Sequence, residues 1–228
     1  METLVPWSVE WKERELEKLK DKWSGCKACV DLVGSRRSIV FGQGNPDADI
    51  FILGEAPGEE EDKYGEPFVG PSGDFIDAIL ENAKISKRLF WFDNIVACHP
   101  EDNRGTTTDE KNSCRQRILD TIYIIDPMLI ICLGKAAAQA MIGSRSKSIE
   151  KMFGKFTKMT IPGKELELEY DAMVLYHPSF ILRTESPDDN GVFPYGSIAN
   201  KEFDFFMDAI TAVDTLKEAY YQFEKENL

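Results

Sequence analysis

The five cysteines of this chain fall into two kinds by spacing. Cys26 and Cys29 form a C-x2-C pair, a local bite that places two thiolates on one metal or cluster. Cys98 and Cys114 stand sixteen positions apart, the first ending a predicted strand and the second inside a predicted helix. Four thiolates in a two-plus-two arrangement suit either Zn²⁺ or an iron–sulfur cluster, and spacing does not name the metal. Cys132 sits in ICLG, in the middle of the most apolar strand, and reads as a buried core thiol.

Two loops carry the remaining chemistry. After the predicted strand ADIFIL comes GEAPGEEEDKYGEPFVGPSG, in which five glycines lead from a strand end towards a helix start. Such glycines let backbone N–H groups approach an anion or a planar ligand. The loop matches neither G-x-G-x-x-G nor G-x-x-x-x-G-K-[ST], so the common nucleotide-cofactor folds lose ground. Within it, Phe68 is either core packing or a stacking platform. The second loop is YHPSFILR, with His177 just past another predicted strand. The only other histidine, His99, also precedes a proline after a strand, and a lone loop histidine is ordinarily a capping or packing residue. Asn94, in FDNIVACHP, changes that balance, because its amide is able to pair with a donor–acceptor base edge near the same predicted sheet edge.

These loops need a scaffold, and the hydrophobic pattern supplies one. Helices are expected over residues 8–23, 71–84, 109–125, 135–142 and 199–223, and strands over 38–41, 49–53, 89–97, 128–133 and within 156–176. This βαβα alternation predicts a three-layer α/β/α architecture around a central, mostly parallel four-stranded sheet, with ligands at the carboxyl ends of the strands. One domain over 1–228 accounts for the whole pattern, since no internal repeat or low-complexity tract interrupts it. Residues 184–197 read as a surface excursion. No apolar run approaches the roughly 20 residues of a membrane span, and the N-terminus lacks a signal layout, so a cytoplasmic protein is expected. The net charge of −13 weighs against nucleic-acid binding on average, although it does not fix the potential inside one cleft.

Taken as an ordered set, GEAPGEEEDKYGEPFVGPSG, the NIVACHP strand end, the four spaced cysteines and the HPS motif resemble the family 4 uracil-DNA glycosylases, from about Cys26 to Arg183. The resemblance implies the uracil-glycosylase fold, hydrolysis of the N-glycosidic bond of deoxyuridine in DNA, and a [4Fe–4S] cluster on Cys26, Cys29, Cys98 and Cys114. By motif position, Phe68 stacks on the extruded uracil, Asn94 reads its N3–H and O4, and backbone groups of Glu55 and Ala56 touch the base. His177 faces O2, where charge develops as the base leaves. Glu55 and Glu61 are the candidate catalytic carboxylates. Ser179, Phe180, Ile181, Leu182 and Arg183 fit a loop that pinches phosphate and wedges the space left by the flipped base.

Where this family usually has a less acidic, proline-rich loop, the chain reads PEDNRGTTT, and Ser72 replaces a usual alanine. Relatives that trap uracil sites covalently carry a basic KRRIH insertion, whereas this place reads EDNRGTTTDEK, which argues against trapping. The expected partner is uracil-containing DNA, single- or double-stranded, with replication or repair proteins as further partners and a monomeric state. Two other readings stand beside the glycosylase: a catalytically silent DNA-binding or replication accessory module, and a small-molecule hydrolase on the same scaffold. Asn94, Phe68 and His177 together argue against the silent module.

Overall fold

The computed structural model describes residues 5–142, 152–162, 167–186 and 197–227. Six strands make one sheet among these residues: β1 (Gln43–Gly44), β2 (Ile50–Gly54), β3 (Phe90–Asn94), β4 (Leu129–Leu133), β5 (Phe156–Pro162) and β6 (Glu167–Leu175). Their order is β1-β3-β2-β4-β6-β5. β2, β3 and β4 are buried along their whole length, as strands covered on both faces must be; β2 and β4 read as apolar runs, and β3 breaks the pattern only at Asp93 and Asn94. β3, β2, β4 and β6 run parallel, so the expected four-stranded parallel core is present. It is flanked by two antiparallel edge strands, β1 outside the expected segments and β5 within the 156–176 segment expected to hold strand.

Alternate residues of each strand face two separate cores. Phe51, Leu53, Ile130, Cys132 and Val174 pack with α5 (Thr108–Ile125) and α6 (Gly134–Ile142). α1 (Val9–Ser24) joins this layer through Leu16 and through Lys12, whose buried ammonium donates to the Ile125 carbonyl and to Asp47. Ile50, Ile52, Phe90, Ile131 and Leu175 pack on the other side with α4 (Pro71–Asn82) and α8 (Ile198–Asn227). The connection from β2 to β3 therefore uses one face and the return from β3 to β4 the other. Right-handed crossovers that step in opposite directions require this. The reversal of strand order falls between β2 and β4, where open α/β sheets form a crevice at their carboxyl ends.

Local signals set most boundaries. Ser8 caps α1 by accepting from the Trp11 N–H, and Thr107 with Glu110 forms a capping box at the start of α5. The expected strand over 38–41 is absent. There the chain makes one ladder-like bond, from the Val40 N–H to the Ala97 carbonyl, before β1 forms at Gln43–Gly44. The expected strand over 89–97 ends as regular strand at Asn94, while Ile95 and Val96 go on to pair with the carbonyls of Gly54 and Glu55. Three short helices were not anticipated: α2 (Val30–Ser35), α3 (Glu59–Tyr64) and α7 (Pro178–Thr184). Most of the surface excursion lies outside the described residues. No helix among the described residues is long and apolar enough to cross a membrane.

Candidate active site

A cleft of about 850 Å³ opens at the β2/β4 reversal, lined by Glu55, Phe68, Asn94, Gly134, His177 and Arg183, among others. Five of these six come from motifs singled out in the sequence. Asn94 is the last residue of β3 and only 3% exposed. Its backbone is gripped from both sides, the N–H donating to Asp93 Oδ1 at 2.7 Å and the carbonyl accepting from Arg117 Nη2. Arg117, on α5, is itself buried and forks onto both Asp93 oxygens at 2.9 and 3.0 Å. Burial pushes the Asp93 carboxyl up, and the Arg117 guanidinium works against it. The Asn94 side-chain amide makes no hydrogen bond to any described residue, which leaves one donor edge and one acceptor for a ligand. Gly54 must be a glycine here, because a Cβ would collide with Asn94 Oδ1 and come within 3.0 Å of the Phe68 ring.

Phe68 forms a wall of the cleft with φ 55°, a left-handed conformation that a bulky residue adopts only when its surroundings enforce it. The enforcement is visible. Glu61, buried on α3, accepts the Gly70 N–H at 2.8 Å and the Gly58 N–H at 3.0 Å, so both carboxylate oxygens hold the loop around Phe68. Glu61 thus lines the cleft with both oxygens already engaged in clamping the loop, whereas a catalytic carboxylate needs a free oxygen. Gly73 lies so close to the Phe68 carbonyl that no Cβ fits. Asp62 ties the same loop to the N-terminal segment by accepting from the Arg37 and Ser38 backbones.

Glu55 remains available. Its Oε1 accepts from the N–H and Oγ1 of Thr106 at 2.8 and 2.7 Å, and Oε2 has no hydrogen bond to any described residue. Across from it, His177 caps α7, its Nδ1 accepting the Ser179 N–H at 3.2 Å. In the neutral ring the proton therefore sits on Nε2. Burial pushes the imidazole down to about 4, with the Glu55 charge countering and the Arg183 charge adding to the shift. Gly134, at φ +84°, packs against the His177 Cβ, where an added Cβ would lie 3.2 Å away. His99 is elsewhere engaged, its Nδ1 2.9 Å from the Pro57 carbonyl, to which it donates.

Ala56, Ser179, Leu182 and Arg183 line the cleft. Ile181 does not fit the proposed wedge: it is fully buried in the core. The segment is a helix, and helical periodicity turns Ile181 inward while Phe180 and Leu182 stay exposed. α7 is held at both ends. Glu202, buried on α8, accepts the Tyr176 N–H at 2.8 Å, and Glu185 accepts from Ile198 and Ala199 at 2.6 and 2.9 Å, capping α8. Thr106, Arg117 and Glu202 carried no local sequence signal.

The four spaced cysteines gather in one region. Burial raises the Cys29 and Cys98 thiols, and Cys114 and Cys26 add to the shift in both cases. Arg36 reaches into the group, Nη1 donating to Cys98 Sγ at 3.0 Å and Nη2 to the Cys26 carbonyl at 2.6 Å. Cys114 lies against Arg117, whose buried Nε has no hydrogen-bond partner among the described residues. Two guanidiniums beside four thiols suit sulfurs that carry negative charge. Among the described residues no three His, Cys, Asp or Glu side chains close on a single ion. Cys132 stands apart in β4, its thiol pushed up to about 12 by burial.

The profile of the Uracil DNA glycosylase superfamily matches residues 41–195. The chain is 34% identical over 175 residues to the Type-4 uracil-DNA glycosylase of Thermotoga maritima, covering 77% of this chain and 87% of that one. It is 32% identical over 172 residues to that of Pyrobaculum aerophilum, covering 74% and 85% respectively. With the enzyme of the same name from Sulfurisphaera tokodaii it shares 35% over 171 residues, 73% of this chain and 76% of that one.

Proposed function

The chain belongs to the uracil-DNA glycosylase superfamily, and from that premise we propose that it hydrolyses the N-glycosidic bond of deoxyuridine in DNA, releasing uracil and leaving an abasic site. The observation that carries this reading is the meeting, in one cleft, of an unpartnered buried amide, an aromatic wall, a neutral imidazole and a half-engaged carboxylate.

A uracil extruded into the cleft stacks on Phe68, while the Asn94 amide accepts from N3–H and donates to O4. Cytosine presents the reverse pattern and leaves both groups of the amide mispaired, the kind of mismatch that a hydrogen-bonding site rejects strongly. As the C1′–N1 bond breaks, its electron pair passes to the base, and the negative charge on O2 meets the His177 Nε2–H. A donor so placed stabilises the departing anion by about 3–4 kcal/mol. A water held by Glu55 Oε2 forms the new bond to C1′ and passes its proton to that carboxylate, whose charge also favours the cationic sugar. Glu61 acts at one remove, by fixing the loop that presents Phe68. Ser179, Leu182 and Arg183 contact the DNA backbone and the opening left by the base.

Cys26, Cys29, Cys98 and Cys114 fit a [4Fe–4S] cluster, since a four-iron group takes its thiolates on separate metal atoms and does not require them to close on one ion. When bound, it supplies a cross-link between the N-terminal segment and the chain from Cys98 to Cys114. We further propose a monomeric, cytoplasmic enzyme. The test is incubation of anaerobically purified protein with oligonucleotides carrying one uracil, thymine or cytosine, followed by alkaline cleavage, with absorbance near 400 nm read on the same sample. Strand breaks at uracil alone are expected from a brown protein. DNA binding without abasic sites would replace the enzyme with a silent binding module.

A further inference from the structure

Ring pairs in this protein mostly meet at a tilt. Trp7–Trp11, Trp7–Tyr123, Phe68–Phe92 and Phe90–Phe92 cross at 48°, 64°, 53° and 33°. Phe153, Tyr176 and Phe180 depart from this. Phe153 and Tyr176 stack at 4.0 Å and 12°, and Tyr176 and Phe180 at 5.3 Å and 20°. The three rings are near-parallel, Tyr176 stacking with each of the other two, and Phe180 is the exposed member of the set.

The base of the column is anchored. Phe153 bridges to Val174 of β6, and the Gly154 N–H donates to the Val174 carbonyl at 2.9 Å. Gly154 has φ +65° and lies under the Phe205 ring, where no Cβ fits. Tyr176 is fixed through its N–H on Glu202. The free end is open, since Phe180 remains 38% exposed whereas the core phenylalanines Phe51, Phe68, Phe75, Phe90, Phe92 and Phe206 lie at 9% or below and Phe153 is partly buried. Phe180 is also outside the cleft lining, although Ser179, Leu182 and Arg183 around it belong to that lining. A ring in this position cannot serve the base held in the cleft, but it lies beside it along the same helix.

We propose that the Phe153–Tyr176–Phe180 column is a second nucleobase subsite, stacking an unpaired base of the substrate strand next to the extruded uracil. This rests on the glycosylase reading and adds to it a built grip on single-stranded DNA. Stacking needs only a π-face, so the subsite tolerates any base. Arg183, one turn along α7 and without an ion pair among the described residues, is placed for the adjoining phosphate.

The test compares single-stranded and duplex oligonucleotides carrying one uracil, with 2-aminopurine placed on either side of it as a fluorescent reporter of stacking. For the wild type, fluorescence of the 2-aminopurine on one side is expected to be quenched on binding to the single strand. Phe180→Ala should abolish that quenching and raise KM on single-stranded substrate about tenfold, with the change concentrated in KM. Phe180→Trp should restore both. Phe153→Leu, at the far end of the column and away from DNA, should raise KM by a smaller factor. A simple surface contact at Phe180 would not be sensitive to that change. Unchanged KM and quenching in Phe180→Ala would overturn the subsite, as would a defect confined to duplex, which makes Phe180 a wedge alone. If the wild type binds the oligonucleotides and quenches the reporter without releasing uracil, the glycosylase reading fails and the subsite stands.

Discussion

In the proposed mechanism base selection rests on one amide, Asn94, and the amide is only as well placed as its own backbone. Asp93 and Arg117 hold that backbone from both sides, so Arg117→Met leaves a buried carboxyl unpaired and should lower stability by about 3–5 kcal/mol in a denaturant titration. The double change Asp93→Asn with Arg117→Met should recover much of the fold, yet release of cytosine relative to uracil should rise above wild type. Asn94→Asp should relax uracil preference or abolish turnover, and intact preference would remove the residue from the reading role. His177→Ala should lower kcat by about two to three orders of magnitude while leaving the melting curve and iron content close to wild type. Because burial holds the imidazole down to about 4, it stays neutral through the physiological range. The wild-type kcat therefore has no step near the ordinary histidine value of 6.5, and a step there would mean that the ring acts charged.

Among the elements, α7 and α8 decide whether the histidine and the carboxylate share a cleft. Glu202 holds the start of α7 through the Tyr176 N–H, and burial pushes its own carboxyl up to about 8 while that N–H pulls it back. The folded state thus binds the extra proton between about 4.5 and 8, so this group contributes stability that is full below 4.5 and lost as pH rises through about 8. Melting temperature should fall from pH 6.5 to 8.5 in the wild type, and Glu202→Gln, which cannot ionise but still accepts the N–H, should flatten that decline. Glu202→Leu should instead lower kcat along with stability. The glycine-rich loop and the HPS segment were legible because their residues are close together along the chain, although the clamp of Glu61 on Gly58 and Gly70 within that loop was not. Glu202, Arg117 and Thr106 were not, since each acts on a partner from a distant segment that only the fold brings near. Ile181 was misassigned for a related reason: a segment read as a loop has no inward face, and the helix gives it one. Of the edge strands, β1 escaped because it has two residues, whereas β5 lies in the 156–176 segment where strand was expected.

Over the whole molecule, a net charge of −13 must coexist with a polyanionic substrate. Glu59 and Glu60 stand at the cleft, and Arg104 is already paired with Glu110 at 2.6 Å, which leaves Lys135 and Arg183 as cleft cations with no ion pair among the described residues. So few phosphate contacts predict a shallow salt slope, with log KM rising against log salt by about one to two, measured between 50 and 200 mM salt. Arg183→Gln should reduce that slope by about one. Cys132 is fully enclosed in β4, away from the other four cysteines. A thiol held up to about 12 and sealed inside the sheet does not react with alkylating reagents at neutral pH. In the native fold, maleimide labelling therefore starts at the partly exposed pair Cys26 and Cys29, while Cys98 and Cys114 are themselves buried, and protection of that pair, read by mass spectrometry, becomes a gauge of cluster loading that needs neither colour nor catalysis.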